Sequence, residues 1–265
     1  MLYSRRLARL ESERDTVNLT AYLRRIGYNG PVAPTAETLR KVHLAHMLTV
    51  PLENLDILAG RAIVLDVVRF YEKIVEHGRG GFCYELNGLF GALLRQLGFT
   101  VVLLSARVCD GAIIAEFDHL ALRVNVPGEA ASWLADVGYG DGFLQPLQLI
   151  ENIEHAEADF TYRLSRDAHR WFIARRVHGE WNLMYDFTLQ PHELSEFAGM
   201  CHYHQTSPDS PFTRRRICSR ATPTGRVTLA DMRLIVTNNG DREERLLRSE
   251  EEYRSALREY FNLVL

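Results

Sequence analysis

The chain has 265 residues, 46% of them hydrophobic and 25% charged, with a net charge of −3. That composition is ordinary for a globular protein of about one or two domains that buries its core without metal or disulfide staples. The near balance of charge excludes a bulk electrostatic grip on nucleic acid or an anionic membrane. Four cysteines without a CxxC pair argue against a zinc knuckle or a dense disulfide framework.

The N-terminus carries the basic flank of a signal peptide at Arg5-Arg6, but Glu11-Ser12-Glu13-Arg14-Asp15 stands where an apolar region belongs. No apolar run approaches the roughly 20 residues of a spanning helix. The expectation is a cytoplasmic protein whose thiols stay reduced.

The first hundred or so positions read as helices. Asn18 caps Leu19 to Ile26, and Gly27 stops it. Thr35 caps a second helix with Leu39, Val42 and His46 on one stripe. Asp66 caps a third through Val75, closed by Gly78. The fourth is the clearest: Leu86, Leu89, Phe90, Leu93, Leu94 and Leu97 recur at helical spacing before Gly98.

The pattern then changes to strands at Thr100–Val108, His119–Val126, Ser132–Val137, Phe160–Leu164, Trp171–Val177 and Trp181–Phe187. His178-Gly179-Glu180 reads as a turn. Short strands separated by turns predict an antiparallel sheet or barrel. Beyond Gln190 the pattern is mixed: a helix from Pro191 to about Ala198, a strand over Met232–Thr237, a turn at Asn238-Asn239-Gly240, a partner over Glu244–Leu247, and a final helix after Ser249.

One segment concentrates chemistry. Cys83 falls at the start of the strongest helix, where free N–H groups and the dipole favour a thiolate. Gly80 and Gly81 leave room for a substrate or another backbone. A nucleophilic thiol needs a base and an orienter. His43 and His46 read as a polar helix face. His202 and His204 flank Tyr203 near Cys201 without metal-ligand spacing. His119 opens a strand. If Pro127-Gly128 centres the turn, Leu122 faces Trp133, Leu120 faces Ala135, and His119 faces Asp136 on the opposite side from the apolar residues. Cys83, His119 and Asp136 then serve as nucleophile, base and orienter for acyl transfer. Water as second nucleophile makes a hydrolase, and an amine makes a transferase.

These residues resemble the arylamine N-acetyltransferases along nearly the whole chain. The signature is Arg79-Gly80-Gly81-Phe82-Cys83-Tyr84-Glu85-Leu86-Asn87. It is supported by Pro51-Leu52-Glu53-Asn54-Leu55, Asp118-His119-Leu120, Asp136-Val137-Gly138-Tyr139-Gly140 and the run from Gln205 to Phe212. The resemblance implies an α+β fold: an N-terminal helical bundle over 1–98 with the cysteine, a central antiparallel β-barrel over 99–190 with the histidine and aspartate, and a C-terminal α/β lid over 191–265. It implies a Cys83-His119-Asp136 triad and a ping-pong transfer from acetyl-CoA to an arylamine or arylhydrazine, without metal. Leu52, Phe82, Tyr139 and Phe143 match acceptor-pocket positions, and Tyr203 and Ser207 lie near the coenzyme's course. Arg79, Glu53 and Asn54 match supporting positions. The family often has phenylalanine where this chain has Leu52 and Tyr139. Within the same residues, an amide synthase closing a macrolactam, a thiol hydrolase and a non-catalytic binding module stay open. The implied partners are small molecules, with no nucleic acid and no membrane.

Overall fold

A computed structural model describes residues 17–109, 115–157 and 160–264; the basic flank at Arg5-Arg6 lies outside them. The helical starts follow their caps. Asn18 accepts from the Ala21 N–H at 3.0 Å to open α1 (Leu19–Arg25), and Thr35 accepts from Thr38 at 3.2 Å to open α2 (Ala36–Thr49). A two-residue strand β1 (Leu52–Glu53) and the short α3 (Leu55–Leu58) come next.

The third expected helix does not stay α-helical. After α4 (Val67–Tyr71) the chain widens into a π-turn over Glu72–Glu76, closed by His77 N–H to the Glu72 carbonyl at 2.9 Å. This turn carries Lys73, whose ammonium stands 2.9 Å from both Asp56 and Glu85. Then comes α5 (Cys83–Gln96), buried on every side from Cys83 to Leu94. An all-round buried helix is a core helix, and here it lies between the other helices and the main sheet.

That sheet has eight antiparallel strands in the order β5-β4-β3-β2-β9-β8-β7-β6. They are β2 (Thr100–Val108), β3 (His119–Asn125), β4 (Ser132–Ala135), β5 (Leu147–Gln148), β6 (Glu154–Ala156), β7 (Thr161–Asp167), β8 (Arg170–Val177) and β9 (Glu180–Thr188). Leu120, Leu122, Val124 and Trp133 share one core with α5, while Ala121 and Leu134 meet Tyr162, Ile173 and Phe187 from the far strands. The alternation is the period of two expected of a strand covered on both faces. The second cluster joins both halves of the sheet, which curls into a nearly closed barrel. His178 and Gly179, both at positive φ, join β8 to β9 as a two-residue turn, at the place the sequence marks.

The hairpin that carries the histidine and aspartate corrects the expected register. Leu122 pairs with Ala135 and Val124 with Trp133, two positions from the predicted pairing. Pro127-Gly128 does form a turn, with Glu129 N–H bonded to the Val126 carbonyl at 3.1 Å and Gly128 at φ +83°. Its geometry suits type II, whose twist fits a tight hairpin poorly, so the connection continues through Ala131 before β4 begins. Because the shift is even, no side chain changes face.

After β9 the expected helix begins later. The Glu196 carboxylate accepts the Glu193 N–H at 2.6 Å, which starts a 3₁₀ turn at Leu194–Phe197. That turn runs into α6 (Ala198–Thr206), followed by α7 (Pro211–Arg214). Two strands absent from the sequence expectation follow, β10 (Ile217–Thr222) and β11 (Gly225–Ala230), then the expected hairpin β12 (Arg233–Asn238) and β13 (Asp241–Leu246) and the final α8 (Glu250–Phe261). The sheet order is β1-β10-β11-β12-β13, with Leu52 opposite Ser219 and Glu53 opposite Cys218. The first strand of the C-terminal sheet therefore comes from the helical region. Its apolar face packs on Tyr253, Leu257 and Phe261 of α8. Among the described residues no helix is long and apolar enough to cross a membrane.

Candidate active site

The loop before α5 is held from several directions. Arg25 donates to the carbonyls of Gly78 and Arg79, each at 3.1 Å. The Arg79 guanidinium meets Glu53 at 2.7 Å and Asp56 at 3.2 Å, and Glu85 accepts the Phe82 N–H at 3.0 Å. The two glycines serve this packing. A side chain at Gly80 would collide with the Pro51 carbonyl at 2.1 Å, and one at Gly81 with Glu85 at 2.8 Å. The Pro51 backbone and the Glu85 side chain make these close approaches.

Cys83 follows, the first residue of α5 and 4% exposed. Burial pushes its thiol well above the ordinary range. The Leu120 N–H beside the sulfur pulls the other way, and the Asp118 and Asp136 carboxylates add to the rise. Burial thus works against the helix start, which favours the thiolate, and an acceptor for the proton would assist ionisation.

Such an acceptor stands at the start of β3. His119 is buried, and its Nε2 lies 2.7 Å from Asp136 Oδ2. In the observed register the two are diagonal neighbours on one face of the hairpin, since Asp136 falls level with Ala121. Tyr139 and Tyr185 flank the imidazole at 5.5 and 5.3 Å between ring centres. Among the described residues no hydrogen bond joins Cys83 to His119.

The Asp136 carboxylate accepts four bonds. Oδ1 takes Asn87 Nδ2 at 2.8 Å and Gly138 N–H at 2.9 Å, and Oδ2 takes His119 and the Tyr185 hydroxyl at 2.8 Å. Burial would raise its pKa, but His119 and the bonds from Asn87 and Gly138 outweigh it and hold it below the usual range. The Asn87 amide also donates to the Leu120 carbonyl at 2.6 Å and accepts from Val137 at 2.9 Å, tying α5 to both strands. Sequence reasoning gave Asn87 no role, although it lies four residues, one helical turn, beyond Cys83. Tyr185, far along the chain on β9, carried no signal at all.

Other expected residues fall as follows. Leu52 and Tyr139 are half-buried, and Leu52 lies against Gly140 beside Tyr139. Phe82 and Phe143 have no exposed surface. Phe82 packs edge-on to Tyr84 and Phe212, and Phe143 lies between His43 and Tyr162. The open part of the expected acceptor wall is thus Leu52 and Tyr139. Asn54 bonds the Phe212 and Arg215 carbonyls and the Ile217 N–H, each at 2.8 Å. Tyr203 and Ser207 are half-buried at the C-terminal end of α6. That helix reaches the site through His204, which bonds Asp118 at 3.0 Å. His43 and His46 are fully buried, not a polar face. All four cysteines are free, and among the described residues no group of three or more His, Cys, Asp or Glu could hold a metal ion.

A buried thiol at a helix start, together with an imidazole fixed by a carboxylate, is the residue set of a cysteine-dependent acyl-transfer enzyme. An N-acetyltransferase family model matches residues 35–265. Arylamine N-acetyltransferase of Mycolicibacterium smegmatis is 35% identical over 86% of this chain and 85% of its own. The solved arylamine N-acetyltransferase from Salmonella typhimurium superposes with a TM-score of 0.88 at 34% identity, covering 92% of this chain and 90% of that one. The Mycobacterium marinum enzyme, solved in complex with CoA, gives 0.86 at 30% identity, covering 92% of each chain. The chain belongs to the N-acetyltransferase family and is an acyltransferase.

Proposed function

We propose that the chain is an arylamine N-acetyltransferase. It carries an acetyl group from acetyl-CoA to the nitrogen of an arylamine or arylhydrazine as a thioester on Cys83. The observation that carries this reading is the 2.7 Å bond between Asp136 and His119 Nε2 at the foot of α5. That bond puts the ring proton on Nε2 and leaves Nδ1 as the basic atom.

In the first half-reaction His119 takes the Cys83 proton as the sulfur attacks the acetyl carbonyl. The acetyl–sulfur bond of acetyl-CoA breaks, and the coenzyme thiol leaves with that proton. In the second, the amine nitrogen attacks the Cys83 thioester. The nitrogen's proton passes through His119 to the released Cys83 sulfur. Asp136 stays ionised and steadies the imidazolium at each stage.

Leu52 and the half-buried Tyr139, whose ring lies 5.5 Å from that of His119, form the acceptor wall in this reading, with the fully buried Phe82 and Phe143 supporting it. Tyr203 and Ser207 mark the coenzyme's course along α6. Arg79, Glu53 and Asn54 hold the nucleophile's loop. The segments 1–98, 99–190 and 191–265 supply nucleophile, base with orienter, and cover respectively. A thiol used in this way must stay reduced, which assigns the protein to the cytoplasm.

Mass spectrometry after mixing with acetyl-CoA and no acceptor tests the proposal. One acetyl group is expected on the protein, absent in Cys83→Ala; an unmodified wild type overturns it. Acetate release at one rate with and without arylamine would assign a hydrolase instead.

A further inference from the structure

His43 projects from the middle of α2 into the space between α5 and the loop after β4. It lies edge-on to Phe90, with ring centres 5.8 Å apart at 81°, and stacks on Phe143 at 5.8 Å and 10°. Its Nδ1 is 2.8 Å from the Leu144 carbonyl oxygen, and its Nε2 accepts the Asp136 N–H at 3.1 Å. A carbonyl only accepts, so Nδ1 carries the proton and Nε2 is bare. The surroundings agree. Burial brings the pKa of His43 down to about 4, against the Leu144 bond and the Asp136 charge, and keeps the ring neutral in ordinary buffers. The titratable groups facing it are Asp136 and, from its own helix, His46.

Asp136 lies one residue beyond the end of β4, where the strand ladder has stopped. Its carboxylate is well held, but the main chain beneath is anchored at the nitrogen by His43. A small rotation there would swing the carboxylate and with it the imidazole.

We propose that His43 is a positioning residue for acetyl transfer, its bare Nε2 fixing the Asp136 main chain so that the carboxylate aims His119 at Cys83. This rests on the assignment of Cys83, His119 and Asp136 given above. The role is separable from filling space, because it needs a hydrogen-bond acceptor at one atom. A glutamine side chain offers its amide oxygen near the position of Nε2. An asparagine reaches only the position of Nδ1 and leaves the Asp136 N–H without an acceptor.

The test compares H43Q with H43N in single-turnover acetylation of Cys83 by acetyl-CoA, alongside the KM for acetyl-CoA and the urea midpoint of each protein. H43N is expected to slow acetylation by about ten- to a hundredfold, the range for a displaced reacting group. Its KM should stay within about threefold, and H43Q should recover most of the rate. If the two variants slow acetylation equally, or both react at the wild-type rate and differ only in urea midpoint, His43 is a packing residue and the proposal is overturned. Should H43N not fold, H43M takes its place, filling the space without accepting from the Asp136 N–H. Acetylation that persists in Cys83→Ala would instead overturn the assignment of the nucleophile and leave the comparison of His43 variants to be judged against another thiol.

Discussion

Gly138 is seated directly on Cys83. A β-carbon at position 138 would lie 2.8 Å from the Cys83 Cα and 2.7 Å from Asn87 Nδ2, closer than real β-carbons come to such atoms. The loop that leaves Asp136 therefore sets how far the nucleophile's helix stands from the barrel. Gly138→Ala must displace the first turn of α5, the Asn87 amide or the loop itself. The expected result is an acetylation rate lower by about ten- to a hundredfold, with a stability loss of only about 1–3 kcal/mol. Single-turnover kinetics beside a urea titration separates the two effects, and an unchanged rate would mean that the loop yields instead.

Burial raises the pKa of the Cys83 thiol, so in the proposed mechanism its reactivity near neutral pH depends on His119. Iodoacetamide should alkylate Cys83 in the wild type near neutral pH. In His119→Ala the rate should fall by about tenfold or more and climb only in strongly alkaline buffer, since the thiolate then forms unaided. Equal rates in the two proteins at neutral pH would remove His119 from the reaction.

Asp136 has a depressed pKa in the folded chain. Its stabilising contribution is therefore present above the unfolded value, near 3.9, and is lost as pH falls through the lower folded value. Asp136→Asn should flatten this acid limb in the melting temperature. It should also reduce acetyl transfer by about 10³- to 10⁴-fold, the loss typical when the orienting carboxylate of a triad becomes an amide.

Glu85 has the opposite sign. Burial raises it to about 7, against the Lys73 charge and its hydrogen bond. Its contribution is fully present below the unfolded value of roughly 4.3 and is lost as pH rises through the folded one. The melting temperature of the wild type should decline as pH rises from about 4.5 to about 7 and level off above that, and Glu85→Gln should decline less. Parallel curves would show that Glu85 does not titrate in that window.

Asn54 is 1% exposed and satisfies three main-chain groups of the segment around α7 and β10. Asn54→Ala leaves all three without their partner and should lower stability by about 3 kcal/mol, read from the urea midpoint. A smaller loss in folding with a large loss in coenzyme affinity would place Asn54 nearer to substrate than the geometry does.

Local signals carried much of this fold. Asn18, Thr35, Asp66 and Ser249 cap helices because a side-chain oxygen next to free N–H groups is a property of a few adjacent residues. His178-Gly179 and Asn239-Gly240 mark tight turns for the same reason. What was not legible depends on distant groups. The two-position register shift arises from how the Pro127-Gly128 turn twists. The burial of His43 is set by Phe143 and Leu144, a hundred residues away in sequence. The raised Cys83 pKa reflects the whole dry interior, which helix position alone does not convey. β10 escaped notice because Cys218, Ser219 and Ala221 are small and give a weak alternation, and β11 offers only Val227 and Leu229 as large apolar residues. Within the site, Cys83 and its glycines stood out, but the glycines proved to accommodate Pro51 and Glu85.

The pairing of β1 with β10 has a bearing on how the protein is made. The loop that presents Cys83 leans on β1, and β1 and Asn54 lean on a segment that follows up to 167 residues later, from Leu52 to Ser219. During synthesis the thiol emerges long before the strand that completes its surroundings. A nascent or prematurely terminated chain ending before β10 thus carries the nucleophile, the base and the orienter yet lacks the brace behind them. In the proposed mechanism the brace behind Cys83 is the last of these parts to be synthesised.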